Sequence, residues 1–495
     1  MADKAYLAID MGASSGRHLT GLFDGRKLSL EEVYRFENGA VEVDGSLYWD
    51  LLGLWSNVRT GLSAAGSRWG AEIASVGVDT WGVDFGLLGR GNQLLGNPYH
   101  YRDSRTNNAI ERACEVVARE EIFQHTGLQF MQFNTLYQLL AMKWSNSPLL
   151  EVAETLLMVP DLFHWLLTGA KCNEMTEAST SQFYNPATGG WANELLDKFD
   201  LPTEILGHIE QPGTNLGRLR KGLVSESRLS SAEVVLPASH DTGSAVAAVP
   251  AVSVAGEKPD WCYISLGTWA LMGIESPRPV INDTVLKLNF TNEGGVGNTS
   301  RVLKNITGMW LLQECRRVWN HGGKDLDWED MNRMTAAARP RVSFIDPDAS
   351  EFAAPSNMPD TIRRFCKQTG QTVPDDDGAV LRCALDSLAL KFRQVLAMCE
   401  ELAERRIETI HIVGGGTQNK QLCQAAADAC GRRVVAGPVE ATAIGNVMIQ
   451  AVAAGDVGSL AEAREVIARS FDVEEYEPHD TSQWDDAYEE FTKIA

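Results

Sequence analysis

Apolar and polar positions along this chain fall into blocks whose period changes, and each change marks an element. Residues 7 to 22, Leu-Ala-Ile-Asp-Met-Gly-Ala-Ser-Ser-Gly-Arg-His-Leu-Thr-Gly-Leu, read as an apolar strand ending in Asp10, a Gly/Ser turn and a returning strand. A helical pattern runs from Leu51 to Ala65, and strand-like alternation returns from Ile73 to Asp79. A polar, helical stretch from Asn107 to about Leu167 leads into turns at Asn185-Pro186 and Gly189-Gly190. The strand Val234-Val235-Leu236 then delivers Ser239, His240 and Asp241 at its end.

The same grammar reappears further on. Tyr263 to Gly273 is again a strand, a turn at Gly267-Thr268 and a strand. Leu381, Ala384, Leu385, Leu388, Val395 and Leu402 lie roughly on one face of a long helix predicted from Gly378 to Arg406. That helix feeds the strand Thr409 to Val413, which ends in Gly414, Gly415 and Gly416, with a helix from Gln421 to Cys430 behind it. Trp484, Ala487, Tyr488, Phe491 and Ile494 predict a closing amphipathic helix. Strands alternating with helices throughout predict an α/β class.

At 495 residues the chain is too long for one core. Pro250, Pro259 and a Gly-Glu-Lys-Pro turn make Val246 to Asp260 the expected boundary, dividing the chain into 1–250 and 251–495. A net charge of −22 argues against nucleic acid and anionic membranes, which need basic patches, while leaving room for ATP, which needs only local donors. No apolar run approaches a membrane span, and no basic segment precedes the first strand, so neither a membrane protein nor a secretory signal is expected. Nine cysteines without metal-ligand spacing predict reduced thiols and a cytoplasmic location, although Cys366 and Cys383 flank one loop and could pair across it.

The first hairpin has the chemistry of a phosphate cradle. Gly12 and Gly16 suggest backbone conformations that other residues resist, so that N–H groups converge on an anion, with Ser14, Ser15 and Arg17 as further donors. Asp10 then sits where a hydrated Mg²⁺ could be held. One Asp-x-Gly turn is usually only a turn. The second hairpin, in the other half of the chain, shifts the balance towards phosphate. No Gly-x-x-x-x-Gly-Lys-Ser/Thr occurs, so the phosphate site is not a P-loop.

Two such hairpins with a triple-glycine strand end resemble the duplicated ATPase domain shared by sugar kinases, actin and heat-shock chaperones. Three further motifs, Asp79-Thr80-Trp81-Gly82-Val83-Asp84-Phe85, Tyr101-Arg102-Asp103-Ser104-Arg105-Thr106 and Ala238-Ser239-His240-Asp241-Thr242, resemble those of the FGGY carbohydrate kinases. Phe133 to Leu139, Asn292 to Gly295, Val302 to Ile306 and Ala436 to Ala441 extend the resemblance, which runs from the first strand to about Gln450.

The resemblance implies two actin-like ATPase (ribonuclease H-like) domains with an interdomain active-site cleft. It implies ATP-dependent phosphorylation of the 1-hydroxyl of L-rhamnulose, with no obligate protein partner. Another ketose such as L-fuculose or xylulose, or an actin-like ATPase acting on a protein, are the competing expectations. Asp241 resembles the family's catalytic base, and Gly82, His240, Asp241 and Thr242 its sugar contacts. Ala13, Ser14, Ser15, Gly16, Arg17, Thr268, Asn305, Gln313 and Gly415 map onto its ATP contacts, with Asn305 and Gln313 expected on a loop entering a helix. Mg²⁺ is implied beside Asp10, through water, with Asp241 a further candidate.

Bland readings stand beside these. Ser239 to Thr242 also reads as a helix N-cap, Trp81 as a core indole rather than a platform for the deoxysugar, and Arg102, Asp103 and Arg105 as structural ion pairing. Leu266 stands where the family usually has a small hydroxyl residue, which raises the expectation of altered ATP affinity.

Overall fold

The computed structural model describes residues 4–251 and 260–494, so most of the expected boundary segment lies outside the described residues. Two compact units emerge. One comprises Met1–Glu257, Glu275–Val302 and Ala441–Phe471, the other Lys258–Ile274, Leu303–Glu440 and Asp472–Ala495. Chain order and compactness thus divide the molecule differently, since the expected halves 1–250 and 251–495 follow the order alone.

In the first unit a mixed sheet runs in the order Asn215–Arg218, Glu233–Val235, Ile73–Thr80, Lys4–Met11, Ser15–Phe23 and Leu28–Glu37. The three strands Glu233–Val235, Ile73–Thr80 and Lys4–Met11 are parallel, and Ser15–Phe23 and Leu28–Glu37 each run antiparallel to the strand before. Lys4–Met11 is buried at every position after its first residue, which explains its nearly unbroken apolar run. Helix Leu51–Arg68 starts where the Asp50 carboxylate accepts the Gly53 N–H, and it buries Leu51, Leu54, Val58, Leu62 and Ala65.

Helix Ala441–Ala453 belongs to this same unit despite its distance in sequence. Its Gln450 Nε2 donates to the Leu7 carbonyl at 3.1 Å, and a side chain at Gly21 would come within 2.6 Å of Val447. Within the stretch expected to be helical, Ala153–Met158 is instead a strand, paired antiparallel with Phe85–Gly89.

In the second unit, residues 303–307 of strand Ser300–Thr307, residues 269–274 of strand Trp269–Ser276, and strands Trp261–Leu266, Thr409–Val413, Arg433–Ala436 and Glu474–Tyr476 follow one another across a sheet. The long predicted helix spans Asp377–Ala403, capped by Asp376 and ended by Glu404 at a φ of 55°. Cys366 and Cys383 are both thiols, with sulfurs 3.9 Å apart. Among the described residues no helix is long and apolar enough to cross a membrane.

Candidate active site

Three parallel strands of the first unit bring the predicted residues to one edge of its sheet. Asp10 is the register partner of Arg17 on one side and Asp79 on the other, and Met11 pairs with Thr80. The Thr80 N–H donates to the Ser239 carbonyl at 2.8 Å, which carries the alignment on to His240. The first turn, the Trp81–Asp84 loop and the Ser239–Asp241 segment therefore leave the sheet at its carboxyl edge, where α/β sheets bind ligands.

The turn between the first two strands is pinned by a residue outside the predicted set. Asn38 donates from its backbone to the Ser14 carbonyl at 3.1 Å and from its side chain to the Gly12 carbonyl at 2.8 Å. Neither Gly12 nor Gly16 occupies the left-handed region, contrary to the expected reason for glycine there. Gly16 is required by packing instead, because a Cβ would stand 2.1 Å from the Phe36 ring. Arg17 Nη2 donates to Asp10 Oδ2 at 2.9 Å, so the predicted phosphate donor and the predicted metal-side carboxylate are paired.

Gly82 keeps space open beside His240: a Cβ there would lie 3.1 Å from Thr180 Cγ2 and 3.3 Å from His240 Nε2. Trp81 is buried in the core. Its ring stacks on Trp49 with centroids 3.9 Å apart, and its Nε1 donates to Asp84 at 3.0 Å. Asp84 gathers this loop by accepting also from Trp49 Nε1 at 2.6 Å, the Tyr101 N–H at 3.1 Å and Gln138 Nε2 at 2.8 Å. Burial still pushes its carboxyl up to about 6. Arg105 donates to the Gln138 carbonyl at 3.0 Å, and Asp103 accepts the Leu47 N–H at 2.7 Å, so both make contacts within the fold.

A seven-residue helix, Asp241–Ala247, begins at the predicted base, and its N-cap His240 makes no side-chain capping bond. Asp241 Oδ1 accepts from the Thr242 N–H at 2.5 Å and from the Thr242 hydroxyl at 3.1 Å. The Asp241 side chain stays 32% exposed beside a His240 side chain at 8%, so a substrate can reach the carboxylate. Desolvation, reinforced by the Asp10 charge and opposed by His240 and Thr242, holds its pKa above the ordinary aspartate value. Glu174 accepts the Ser239 N–H at 2.9 Å and the Thr176 hydroxyl accepts the His240 N–H at 3.2 Å, fixing the backbone ahead of the base.

Several partners are not visible in the sequence. Asn446 Nδ2, from helix Ala441–Ala453, donates to Asp79 Oδ2 at 2.6 Å. Burial, with the Asp10 charge behind it, holds the Asp79 carboxyl well above the ordinary range. Glu293 and Arg301 flank His240. Asn292-Glu293-Gly294-Gly295 is a visible signal, but nothing in it says which side chain Glu293 would meet.

The remaining predicted residues belong to the second unit. At the tip of its hairpin the Thr268 carbonyl accepts from the Gly308 N–H at 3.2 Å and the Trp310 N–H at 3.1 Å. A Cβ on Gly308 would stand 2.5 Å from the Trp269 backbone, so glycine allows this contact. Gln313 lies on helix Trp310–His321, but Asn305 sits within strand Ser300–Thr307 rather than on the expected loop. Gly415 is exposed, and a Cβ added to it would meet nothing within 4 Å, so its backbone is open to a flat ligand. Gly414 has a φ of +92°. Leu266 is buried beneath Gly416, where a Cβ would come within 2.2 Å of its Cγ, so this leucine fills the floor of the glycine turn.

Comparison with known proteins adds an independent finding. The family model described as "FGGY family of carbohydrate kinases, N-terminal domain" matches residues 5–248, and its C-terminal counterpart matches 262–454. A rhamnulokinase of Bacteroides thetaiotaomicron is 44% identical over 98% of both chains, and one of Bacillus subtilis is 38% identical over 96% of both. The fold is similar to that of a gluconate kinase from Lactobacillus acidophilus, with a TM-score of 0.80 at 15% identity over 100% of this chain and 98% of that one. A xylulose kinase from the same organism gives 0.79 at 15% identity, over 99% and 97% of the two chains.

Proposed function

Because the chain belongs to the FGGY family of carbohydrate kinases, we propose that it transfers the γ-phosphoryl group of ATP to the 1-hydroxyl of L-rhamnulose. The products are L-rhamnulose 1-phosphate and ADP, a step of L-rhamnose catabolism. The likeness to a rhamnulokinase at 44% identity over 98% of both chains carries this reading.

A sugar hydroxyl is a weak nucleophile until its proton is removed, and Asp241 is the carboxylate placed to remove it. Thr242 holds one of its oxygens through two hydrogen bonds, which leaves the other for the substrate. Gly82, His240 and Thr242 complete the sugar contacts. Arg17 and the backbone N–H groups of Ala13 to Gly16 hold phosphate oxygens, and Thr268, Asn305, Gln313 and Gly415 hold the rest of the nucleotide.

Mg²⁺, when bound, supplies charge neutralisation on the phosphate oxygens during transfer. Among the described residues no group of three or more His, Cys, Asp or Glu could hold a metal. A hydrated Mg²⁺ needs only one or two carboxylates. Asp10 fits that role, and Asp79 beside it has a buried Oδ1 with no hydrogen-bond partner.

A panel of ketoses in a coupled ADP-release assay tests the assignment. L-rhamnulose is expected to give a kcat/KM well above L-fuculose, D-xylulose or glycerol, since a site that hydrogen-bonds a hydroxyl rejects analogues that misplace it. Equal or faster turnover of any of the three moves the assignment to a sibling kinase. ATP hydrolysis at one rate with and without sugar points to an ATPase acting on a protein.

The pH profile supplies a further check. Asp241 works only when deprotonated, and its pKa is raised, first by desolvation. The acid limb of kcat/KM for the sugar is therefore expected above the ordinary aspartate value of 3.8, with activity lost as pH falls through it. A limb at or below that value contradicts the assigned environment.

A further inference from the structure

We propose that Glu293 and Arg301 act as a buried positioning pair that locks the His240 ring with Nε2 turned to the acceptor sugar, and so govern sugar recognition. This rests on the kinase reading above. It adds two residues that act through His240.

Glu293 lies in strand Thr291–Gly294 and Arg301 in strand Ser300–Thr307, both in the 275–302 segment that joins the first unit. Their side chains are 5% and 0% exposed. Arg301 Nη1 and Glu293 Oε2 are 3.1 Å apart, and Arg301 Nε donates to the Gly294 carbonyl at 2.7 Å, which fixes the plane of the guanidinium. Burial would raise the Glu293 carboxyl, but Arg301 and then His240 outweigh it and hold it below the ordinary range. Glu293 is thus a carboxylate in the interior.

Both members of the pair converge on one ring nitrogen. His240 Nδ1 is 3.2 Å from Glu293 Oε2 and 3.2 Å from Arg301 Nη2. Arg301 Nη2 can donate to Nδ1 when that nitrogen carries no proton, whereas Glu293 Oε2 makes no hydrogen bond and acts on the ring through its charge. Nε2 is left facing Gly82, whose absent side chain would stand 3.3 Å away, and Asp241, whose Oδ1 is 3.5 Å away and beyond a good hydrogen bond. A substrate hydroxyl placed beside the base therefore meets Nε2.

An imidazole can turn over about its bond to Cβ, exchanging Nδ1 with Cδ2 and Nε2 with Cε1. Turned over, it would present carbon to the sugar and leave the buried carboxylate and guanidinium without their nitrogen partner. The ion pair makes that orientation costly, because buried charged groups pay heavily for a lost partner. The frame is stiff as well. A Cβ on Gly294 would lie 2.0 Å from Met175 Sδ, so strand Thr291–Gly294 presses on helix Met175–Ala178, whose Thr176 holds the His240 N–H.

The test compares wild type, Glu293→Gln, Arg301→Ala and Arg301→Lys, using whichever ketose the wild-type enzyme turns over fastest. Glu293→Gln keeps the shape and removes the charge, and is expected to raise the sugar KM about tenfold or more while the ATP KM stays within about twofold. Its Tm should fall, since Arg301 then keeps a buried charge without its partner, so the readout is the split between the two KM values in the folded enzyme. Arg301→Lys should recover part of the sugar affinity that Arg301→Ala loses. If Arg301→Ala fails to fold, Glu293→Gln decides alone. A folded Glu293→Gln enzyme with the wild-type sugar KM overturns the proposal, and so does an equal rise in both KM values, the mark of a general structural role. Wild-type protein that phosphorylates no ketose refutes the kinase reading instead.

Discussion

Asp241→Asn is expected to lower kcat by roughly 10²- to 10⁴-fold while ATP still binds. Asparagine keeps the outline of the side chain, and its amide oxygen can still accept from the Thr242 N–H and hydroxyl, now at 2.5 and 3.1 Å. What disappears is the proton acceptor. The nucleotide contacts proposed at Ala13 to Arg17 and at Thr268 are untouched, so ATP affinity should stay near wild type. Steady-state kinetics with both substrates saturating, together with a direct ATP-binding measurement, read the two effects separately. A role in sugar binding alone would raise the sugar KM and spare kcat. Near-normal turnover by a folded, saturated Asp241→Asn enzyme would falsify the general-base assignment even if the protein remained a kinase.

The second large effect is expected far from the chemistry in sequence, at Gly445. A Cβ there would stand 1.9 Å from the Ser244 carbonyl oxygen, and the obstacle is backbone, so no side chain can swing aside. Ser244 belongs to the helix Asp241–Ala247 that begins with the base. Gly445→Ala must push these helices apart. Alanine gains about 1 kcal/mol in helix propensity, but overpacking a tight contact costs about 1 to 3 kcal/mol, so a net loss of stability is expected. Displacing the base by a fraction of an ångström to one ångström should also lower kcat, by up to about 10²-fold. Gly222→Ala serves as the control, since it lies in helix Lys221–Ser227 with nothing near its would-be Cβ. Urea denaturation and kcat measured on both variants decide the matter. Wild-type values for Gly445→Ala would show that the helix contact is softer than its geometry implies.

Much of the local architecture is legible in the chain. The first hairpin reads from Leu7 to Leu22 and spans Lys4–Met11 and Ser15–Phe23. The long helix reads from 378 to 406 and spans Asp377–Ala403. Strand ends delivering Asp10, Asp79 and Asp241 to one edge follow from apolar runs that stop at polar residues. Periodicity, caps and turn residues act over a few positions, so sequence displays them directly.

Other features depend on partners that no local pattern names. Trp81 suits sugar or core equally in the sequence, and only the fold buries it against Trp49 and Asp84. Gly16 is glycine because of Phe36, and Leu266 is leucine because Gly416 leaves it room. Asn305 falls on a strand because Ser300–Thr307 extends further than its apolar residues suggest.

What the sequence determined by itself was the α/β order of elements, the two turn-bearing hairpins and the identity of the polar residues at strand ends, because each is set by chemistry within a few residues. Only the tertiary structure decided that Asn446 holds Asp79, that Gly445 meets the helix of the base and that Glu293 and Arg301 frame His240. Those contacts join segments between about fifty and several hundred residues apart. Their existence depends on which helix packs on which strand and at what distance, a property of the assembled core that no single segment carries.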